Sequence, residues 1–408
     1  MSSFLLSSSL LSPLSCSVPL DFSWPASENN TVRTNRLQKK RRSPCLLFFC
    51  SLCLLSLCSP YSKNIKDITE QRFVPSHRTK RLVFPEKEWE KQPAESLCRN
   101  AGTLDKFTKA VGGSGVIIKN GYLIKIWGDP TGRTMWASAT KPVLSTLLLF
   151  AAQEGRVEIN GKVKAFMPEL LGKDQNITFH QLANMTSGYA RRESPGQAFS
   201  YNDYAVKLYH NTLFNRVFAA DPNQIILDKS RLGPLQFQDG ELFEQVEKYG
   251  WFVHTSPRDF ARIGWFWLNK GNWNGKQLLS EDFFERYLKN QVPETLPISV
   301  KPARDYLGIG TYGGSGNQSP FGPGNYGMNW WFNAGKRIWP SLPEDTFQAN
   351  GHWNKETITV IPSMALVVVG VGDFRPFQPG LGPADSLMSL LAEACGQKDN
   401  SVTDQLGN

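Results

Sequence analysis

Residues Ser138–Ala152 read SATKPVLSTLLLFAA, which predicts a buried helix with a serine and a lysine at its start. Ser138 and Lys141 are three residues apart, which places their side chains on one face of a helix, one turn apart. The residues after Pro142 are apolar on nearly every side, as is typical of a helix inside a core. Because proline is tolerated only in the first turn, we expect the helix to begin near Ser138 and to end near Glu154.

This arrangement would combine a nucleophile, a base and the positive end of a helix dipole. The dipole favours negative charge that develops at the helix N terminus. A lysine that is removed from water loses its proton more readily and can act as a base. The pattern Ser-x-x-Lys also occurs by chance in many proteins, so Ser138 and Lys141 need support from the rest of the chain.

Length, composition and charge allow a large core and give no support to nucleic-acid binding. The chain has 408 residues, 40% of them hydrophobic, which is enough for one large domain or two. Part of the net charge of +9 lies at the start, because residues 1–44 carry six basic and two acidic side chains. No basic run elsewhere is interleaved with aromatic residues, as nucleic-acid-binding surfaces usually are.

The first 60 residues are typical of a targeting segment. A basic block, Arg36–Arg42, precedes fourteen apolar or small residues at positions 45–58, a length that suits a signal-peptide core better than a membrane span. A retained membrane anchor at the N terminus is the alternative. We therefore expect an exported protein with a targeting segment at 1–60, a linker at 61–95, a globular domain at 96–398 and a tail at 399–408.

Cysteine usage agrees with export. Five of the seven cysteines lie in the first 60 residues, and the body keeps only Cys98 and Cys395. These two could form a disulfide that closes a very long loop, or could be two buried thiols. The sequence leaves both possibilities open.

The predicted strands lie near the two ends of the domain, with helices between them. Asn120-Gly121 is a strong hairpin signal between two apolar runs. The strands are predicted at 115–128, 326–333, 346–351, 357–361 and 365–370, and the helices at 96–109, 176–188, through most of 196–290 and at 387–394. This order predicts an α+β fold, with an antiparallel sheet formed from both ends of the chain plus a helical subdomain.

The histidines and cysteines give no sign of a metal site. His77, His180, His210 and His254 have no metal-ligand spacing, and the body contains no HExxH or CxxC pair. The nucleophile elbow GxSxG of the α/β-hydrolases is also missing. We expect neither a metal nor an organic cofactor.

Several segments, in the same order, resemble the serine β-lactamase and penicillin-binding-protein-like hydrolases, particularly their esterase and 6-aminohexanoate-dimer-hydrolase-like branch. The resemblance covers roughly residues 100–395, and the matching segments are Ser138–Lys141, Ile177–Gly188, Phe199–Asp203, Gly250–Gly264, Tyr326–Trp331 and Ala349–His352. It implies a β-lactamase/transpeptidase-like fold in which Ser138 attacks a carbonyl and forms an acyl-enzyme. Lys141 and Tyr201 would share the proton transfer, and which of the two is the base stays open.

The second motif of this family, Tyr-x-Asn, differs here at its third position. Tyr201 is followed by Asn202 and then by Asp203, a carboxylate that could accept from Lys141 but could not donate to a substrate carbonyl. The alternative frame is Ser200-Tyr201-Asn202, with Ser200 in place of the tyrosine. We favour Tyr201.

The third motif, Lys-Thr-Gly, is replaced by Ala349-Asn350-Gly351. The resemblance implies that Gly351, His352 and Asp203 form the oxyanion and substrate-binding part of the site, with the backbone amides of Ser138 and His352 holding the oxyanion. The lysine that binds the carboxylate of penicillins and D-alanyl peptides is missing. His352 could replace it in part or could be a structural residue.

The sequence therefore predicts an exported serine hydrolase that cleaves a small-molecule ester or amide. A carboxylesterase or linear-amide hydrolase is favoured over a β-lactamase or D,D-peptidase. A function of another class, a penicillin-binding-like module that senses cell-wall fragments, remains the alternative.

Two further expectations concern packing. Asp259 and Arg262 are expected to form a salt bridge. At most one of Trp330 and Trp331 is expected to line the site, because neighbouring strand residues face opposite ways.

Overall fold

The computed structural model describes residues 82–246, 250–311, 316, 319, 321–374 and 383–396. The predicted targeting segment at 1–60 and the predicted tail at 399–408 lie outside these residues, as does His77. Within the described residues, no helix combines the length and the apolar character that crossing a membrane requires.

Most of the strands belong to one antiparallel sheet. The strands are β1 (Ser114–Lys119), β2 (Tyr122–Trp127), β3 (Thr134–Met135), β4 (Phe243–Val246), β5 (Gly250–Thr255), β6 (Asn272–Trp273), β7 (Lys276–Gln277), β8 (Tyr326–Gly327), β9 (Trp330–Phe332), β10 (Phe347–Gly351), β11 (Glu356–Ile361) and β12 (Leu366–Val371). Seven of them form the large sheet in the order β2-β1-β12-β11-β10-β9-β8, and β3, β5 and β4 form a smaller one. The predicted sheet built from both ends of the chain is confirmed.

The helices lie between the two groups of strands and at both ends of the domain. They are α1 (Gly102–Val111), α2 (Lys141–Gln153), α3 (Phe179–Ala183), α4 (Asp203–Thr212), α5 (Pro222–Ile226), α6 (Pro257–Leu268), α7 (Glu281–Tyr287) and α8 (Pro383–Cys395). The predicted helix at 176–188 is shorter in the structure. Thr178 caps α3 together with Gln181, and Met185 has a φ of 56°, which a helix cannot accommodate.

The large sheet is covered by helices on both faces, so β12 near its centre reads as a continuous apolar run, LVVVGV. Successive residues of β12 alternate between two cores. Val367 and Val369 pack in the core that contains α2 and α6, whereas Leu366 and Val368 pack in the core that contains α1 and α8. Gly264 of α6 allows a close approach to the sheet, because a Cβ atom there would lie 2.7 Å from the Val367 side chain.

The chain ends of the domain are joined covalently. A disulfide links Cys98, just before α1, to Cys395 at the end of α8, over a sequence separation of 297 residues. The main-chain N–H of Asn100 also donates to the carbonyl of Ala394 at 3.1 Å. Of the two possibilities that the sequence left open, the structure has the disulfide.

Residues 82–95 pack against the domain, although the sequence predicts a linker there. The indole of Trp265 donates to the carbonyl of Val83, and the guanidinium of Arg262 donates to the carbonyls of Glu86 and Lys87. Trp89 is buried in the core. These contacts come from residues more than 170 positions away, so local composition could not reveal them.

Asp259 and Arg262 form the expected buried pair on α6. Their closest side-chain atoms lie 3.6 Å apart, and both side chains are fully buried. Burial raises the pKa of Asp259 and lowers the pKa of Arg262, although backbone N–H donors to the carboxylate and the charge of each partner oppose these shifts. Arg262 holds the carbonyls of Glu86 and Lys87, and Asp259 accepts from the backbone N–H groups of Gln238 and Asp239. Neither residue lines the cleft described below.

Candidate active site

Ser138 lies in a short 3₁₀ helix, Ala137–Thr140, that leads directly into α2. Pro142 is in the first turn of α2, as the sequence predicts. Ala137 has a φ of 44°, in the left-handed region that residues other than glycine rarely adopt. Such strain persists only where neighbouring contacts hold it, and it is concentrated at functional sites.

The backbone on both sides of Ser138 is held by β5. The N–H of Trp136 donates to the carbonyl of Val253 at 2.9 Å, and its indole donates to the carbonyl of Thr255 at 2.8 Å. The hydroxyl of Thr140 accepts from the N–H of Val253 at 2.9 Å. Ser138 is thus carried on a rigid segment, which a reacting hydroxyl requires.

The structure brings Ser138 and Lys141 into direct contact, as their spacing predicts. Lys141 Nζ donates to Ser138 Oγ at 2.5 Å, and Lys141 is only 4% exposed. Asp203 Oδ1 lies 3.8 Å from Nζ, and the ring centre of Tyr201 lies 4.7 Å from it. Lys141 Nζ and Ser138 Oγ are close enough for the proton of the hydroxyl to pass to the amine once the amine is neutral.

Ser138 opens onto a small cleft of about 80 Å³, called here the Ser138 cleft. Its walls come from the 3₁₀ helix that holds Ser138, from the segment before α4, from Ser319, from β9, and from the end of β10 with the turn that follows. The residues that line it are Ser138, Tyr201, Ser319, Trp331, Asn350, His352 and Trp353. Three of the residues predicted from the sequence, Ser138, Tyr201 and His352, therefore share one cleft.

Tyr201 is held in this cleft by other aromatic rings. Its ring stacks on Trp331 with centroids 6.0 Å apart and meets Tyr326 edge-on at 5.9 Å. Ser200 lies beside it, and its hydroxyl accepts from the amide of Asn202 at 3.2 Å. Asn202 in turn caps α4. Ser200 and Asn202 thus have structural partners, which favours Tyr201 over the alternative frame.

If Tyr201 transfers a proton in ester hydrolysis, as the resemblance implies, Tyr201→Phe should lower kcat by about 10²-fold, because proton transfer by a positioned side chain contributes roughly 10²–10⁴-fold. The matched control is Ser200→Ala, which removes the neighbouring hydroxyl and should leave kcat within about threefold of the wild type. Steady-state kinetics with p-nitrophenyl butyrate measures both variants. A larger loss of kcat in Ser200→Ala than in Tyr201→Phe would mean that Ser200, and not Tyr201, takes part in the proton transfer.

Asp203 lies against Lys141 and not among the residues of the Ser138 cleft. It lines a second cavity of about 20 Å³, together with Lys141, Lys207, His210 and others. Burial, and then the charges of Lys141 and Lys207, lower the pKa of His210 to about 3. His210 is therefore neutral near pH 7. The placement makes Asp203 a partner of Lys141, whereas the resemblance grouped it with the substrate-binding residues.

The end of β10 approaches the segment before Ser138 at Gly351. A Cβ atom at Gly351 would lie 2.6 Å from the carbonyl oxygen of Trp136 and 3.2 Å from the Cβ of Ala137. Only glycine allows this contact. It places the next residue, His352, at the Ser138 cleft, which is where the resemblance requires the second oxyanion donor.

The turn between β10 and β11 is left-handed at three successive residues. His352, Trp353 and Asn354 have φ values of 38°, 54° and 70°. Each such residue costs about 1–3 kcal/mol when it is not glycine. The N–H of Lys355 donates to the carbonyl of Gly351 at 3.0 Å and closes the turn. We call residues 352–355 the β10–β11 turn.

The imidazole of His352 has a carboxylate partner at the start of β11. His352 Nδ1 lies 3.1 and 3.0 Å from the two carboxylate oxygens of Glu356. This carboxylate would also lie 2.8 Å from a Cβ atom at Gly351, so it is close to the nucleophile segment. A carboxylate on Nδ1 fixes the orientation of the ring.

Sequence reasoning missed part of the cleft. Trp331 lines it, whereas Trp330 packs edge-on against Trp267 at 5.3 Å, so the expectation that at most one of the pair lines the site is confirmed. Asn350 and Trp353 flank the predicted Gly351 and His352 and also line the cleft, and their position in and next to the third-motif segment was a usable signal.

Among the residues that the structure describes, no group of three or more histidine, cysteine, aspartate or glutamate side chains could hold a metal ion.

An antiparallel sheet covered by helices, with a Ser-x-x-Lys pair at the start of a buried helix, defines the β-lactamase/transpeptidase-like class. The family model described as Beta-lactamase matches residues 101–371. The chain therefore belongs to the Beta-lactamase family, whose members are hydrolases, as the motifs predicted.

Solved structures show the same fold. A β-lactamase/D-alanine carboxypeptidase from Yersinia pestis, complexed with citrate, matches with a TM-score of 0.51 and 16% identity over 72% of this chain and 97% of that one. A penicillin-binding protein homologue from Caulobacter crescentus matches with a TM-score of 0.50 and 12% identity over 72% and 95%. No curated protein matches the chain in sequence.

Proposed function

We propose that the protein is a serine hydrolase that forms an acyl-enzyme on Ser138. The observation that carries this proposal is the 2.5 Å contact between Lys141 Nζ and Ser138 Oγ in a nearly dry environment. Lys141 and Tyr201 relay the proton of Ser138 to the leaving group as the acyl-enzyme forms. Water then attacks the acyl-enzyme and releases the acid.

The oxyanion of each tetrahedral intermediate is held by the backbone amides of Ser138 and His352. The close approach of Gly351 to the segment before Ser138 supports this assignment, because it brings the two segments together. Losing one such donor typically removes roughly 3–4 kcal/mol of transition-state stabilisation.

We propose a carboxyl ester or a small linear amide as the substrate. The described residues that line the Ser138 cleft include no lysine or arginine. Ala349-Asn350-Gly351 stands where a carboxylate-binding motif would carry its lysine. Penicillins and D-alanyl peptides present such a carboxylate, so this site lacks a charge partner for them.

We place the reaction outside the cytoplasm, with no nucleic acid as a partner. The basic block and apolar core in the first 60 residues support export, and that segment is either cleaved or kept as a membrane anchor. The Cys98–Cys395 disulfide agrees with an oxidising compartment.

A fluorophosphonate probe tests the nucleophile. We expect the probe to label the purified protein at Ser138, because it reacts with activated serine hydroxyls, and Ser138→Ala should abolish the labelling. Mass spectrometry of the labelled peptide identifies the site. Labelling that persists in Ser138→Ala would reject the assignment, and labelling without turnover of any ester would favour a sensing module.

The same preparation ranks the substrates. We expect kcat/KM for p-nitrophenyl butyrate to exceed that for nitrocefin by about 10²-fold, because nitrocefin carries a carboxylate for which the described lining of the cleft provides no lysine or arginine. Faster turnover of nitrocefin would reverse the ranking of esterase over β-lactamase.

A further inference from the structure

We propose that the β10–β11 turn forms a subsite for an uncharged aromatic group of the substrate, with the indole of Trp353 as its platform. This inference rests on the proposed hydrolase function and adds the class of substrate. It is carried by the exposure of Trp353, the conformation of the turn and the charges around the cleft.

Trp353 is the exposed aromatic side chain of the Ser138 cleft. It is 66% exposed, whereas Tyr201 and Trp331, which line the same cleft, are 5% and 3% exposed. An indole ring in water beside a nucleophile gains free energy when a flat apolar group covers it. Tyr201 and Trp331 stack on each other, so part of each ring face is already covered by the other ring.

The turn holds this indole in a conformation that tryptophan does not favour. A bulky side chain with a positive φ is an outlier, and here it lies between two others. Several hydrogen bonds keep the turn in place: Lys355 donates to Gly351, Gly372 donates to Lys355, and Phe374 donates to Asn354, all through the main chain. A strained and fully supported turn that displays an aromatic ring at the nucleophile indicates a binding role.

The charges around the cleft favour an uncharged group. The carboxylate of Glu356, held at the turn by His352, repels an anion. The described residues that line the cleft include no aspartate, glutamate, lysine or arginine, and the imidazole of His352 already has the carboxylate of Glu356 as its partner. A charged substrate group therefore finds no unpaired opposite charge among these residues.

Four esters test the aromatic preference and identify the half of the substrate that carries the ring. Benzyl acetate and cyclohexylmethyl acetate differ in the alcohol, and ethyl phenylacetate and ethyl cyclohexylacetate differ in the acyl group. Trp353→Ala should lower kcat/KM for one of the aromatic esters by about tenfold and for its saturated counterpart by less than about threefold. Trp353→Phe is the matched control and should retain most of the activity.

Labelling of Ser138 by the fluorophosphonate separates the two proposals. If Trp353→Ala is labelled at the wild-type rate, the nucleophile is intact and a selective loss of the aromatic ester supports the subsite. Equal losses for aromatic and saturated esters, or no loss at all, would overturn it. A wild-type protein that is neither labelled nor active on any ester would overturn the proposed function as well.

The charge preference has its own test. The wild type should hydrolyse benzyl acetate at least about tenfold more efficiently than 4-(acetoxymethyl)benzoate, which adds a carboxylate to the ring. Glu356→Gln removes the negative charge and keeps a hydrogen-bonding group for His352. It should reduce the ratio of kcat/KM for benzyl acetate to kcat/KM for 4-(acetoxymethyl)benzoate by about threefold or more. Equal turnover of the two esters by the wild type would contradict an uncharged preference.

Discussion

Lys141→Met is expected to lower kcat for p-nitrophenyl butyrate by about 10³-fold or more, because the amine in contact with Ser138 Oγ is lost and a positioned base contributes up to roughly 10⁴-fold. Methionine replaces the apolar stem of this almost fully buried side chain and leaves no large cavity. The loss of kcat therefore measures the contribution of the amine. Stopped-flow acylation and steady-state turnover measure the effect. If the variant kept more than about a tenth of the wild-type kcat, Lys141 would not be the proton-transfer residue that the mechanism requires.

The control for this variant addresses folding. Asp203 Oδ1 lies 3.8 Å from Lys141 Nζ, and leaving one partner of a buried pair without the other destabilises a protein. The double variant Lys141→Met/Asp203→Asn removes both charges and should recover melting temperature without recovering activity. If the double variant regained activity, the loss in Lys141→Met would be an effect of folding.

The second large effect concerns stability. Replacing Cys98 and Cys395 with serine should lower the free energy of unfolding by about 5 kcal/mol, because the disulfide closes a loop of almost three hundred residues in the unfolded chain. For a domain of this size, such a loss lowers the melting temperature by roughly 10 °C. Neither cysteine lines the Ser138 cleft, so kcat/KM should not change.

Urea unfolding with and without a reductant measures this contribution. The wild-type midpoint should fall in the reductant to the value of the double serine variant, which the reductant should leave unaltered. A wild-type midpoint that the reductant does not move would mean that the two thiols contribute nothing as a pair.

The parts of the fold that follow from neighbouring residues could be predicted. The hairpin at Asn120-Gly121, the strands at the end of the chain and the contact between Ser138 and Lys141 depend on turn chemistry and on helical spacing. The resemblance then placed Tyr201 and His352 at the same site, and both line the cleft.

The parts that depend on distant contacts could not be predicted. Residues 82–95 carry the prolines and charges of a linker, yet Trp89 is buried and Arg262 binds their carbonyls. Asp203 begins α4 and lies beside Lys141 at the start of α2, and the two helices also meet where the hydroxyls of Ser145 and Tyr209 are 3.5 Å apart, a contact between residues 64 positions apart. The left-handed conformation of Trp353 has no local signal, because that residue alone does not favour it.

The pairing of β1 with β12 has a consequence for how the domain is made. Residues Ser114–Lys119 leave the ribosome long before their partners at Leu366–Val371 are translated. At about 5–20 residues per second, the delay is roughly 10 to 50 s. During translation β1 therefore has only β2 beside it, and a product terminated before Leu366 has no strand to place between β1 and β11. The large sheet is therefore complete only after β12 has been translated.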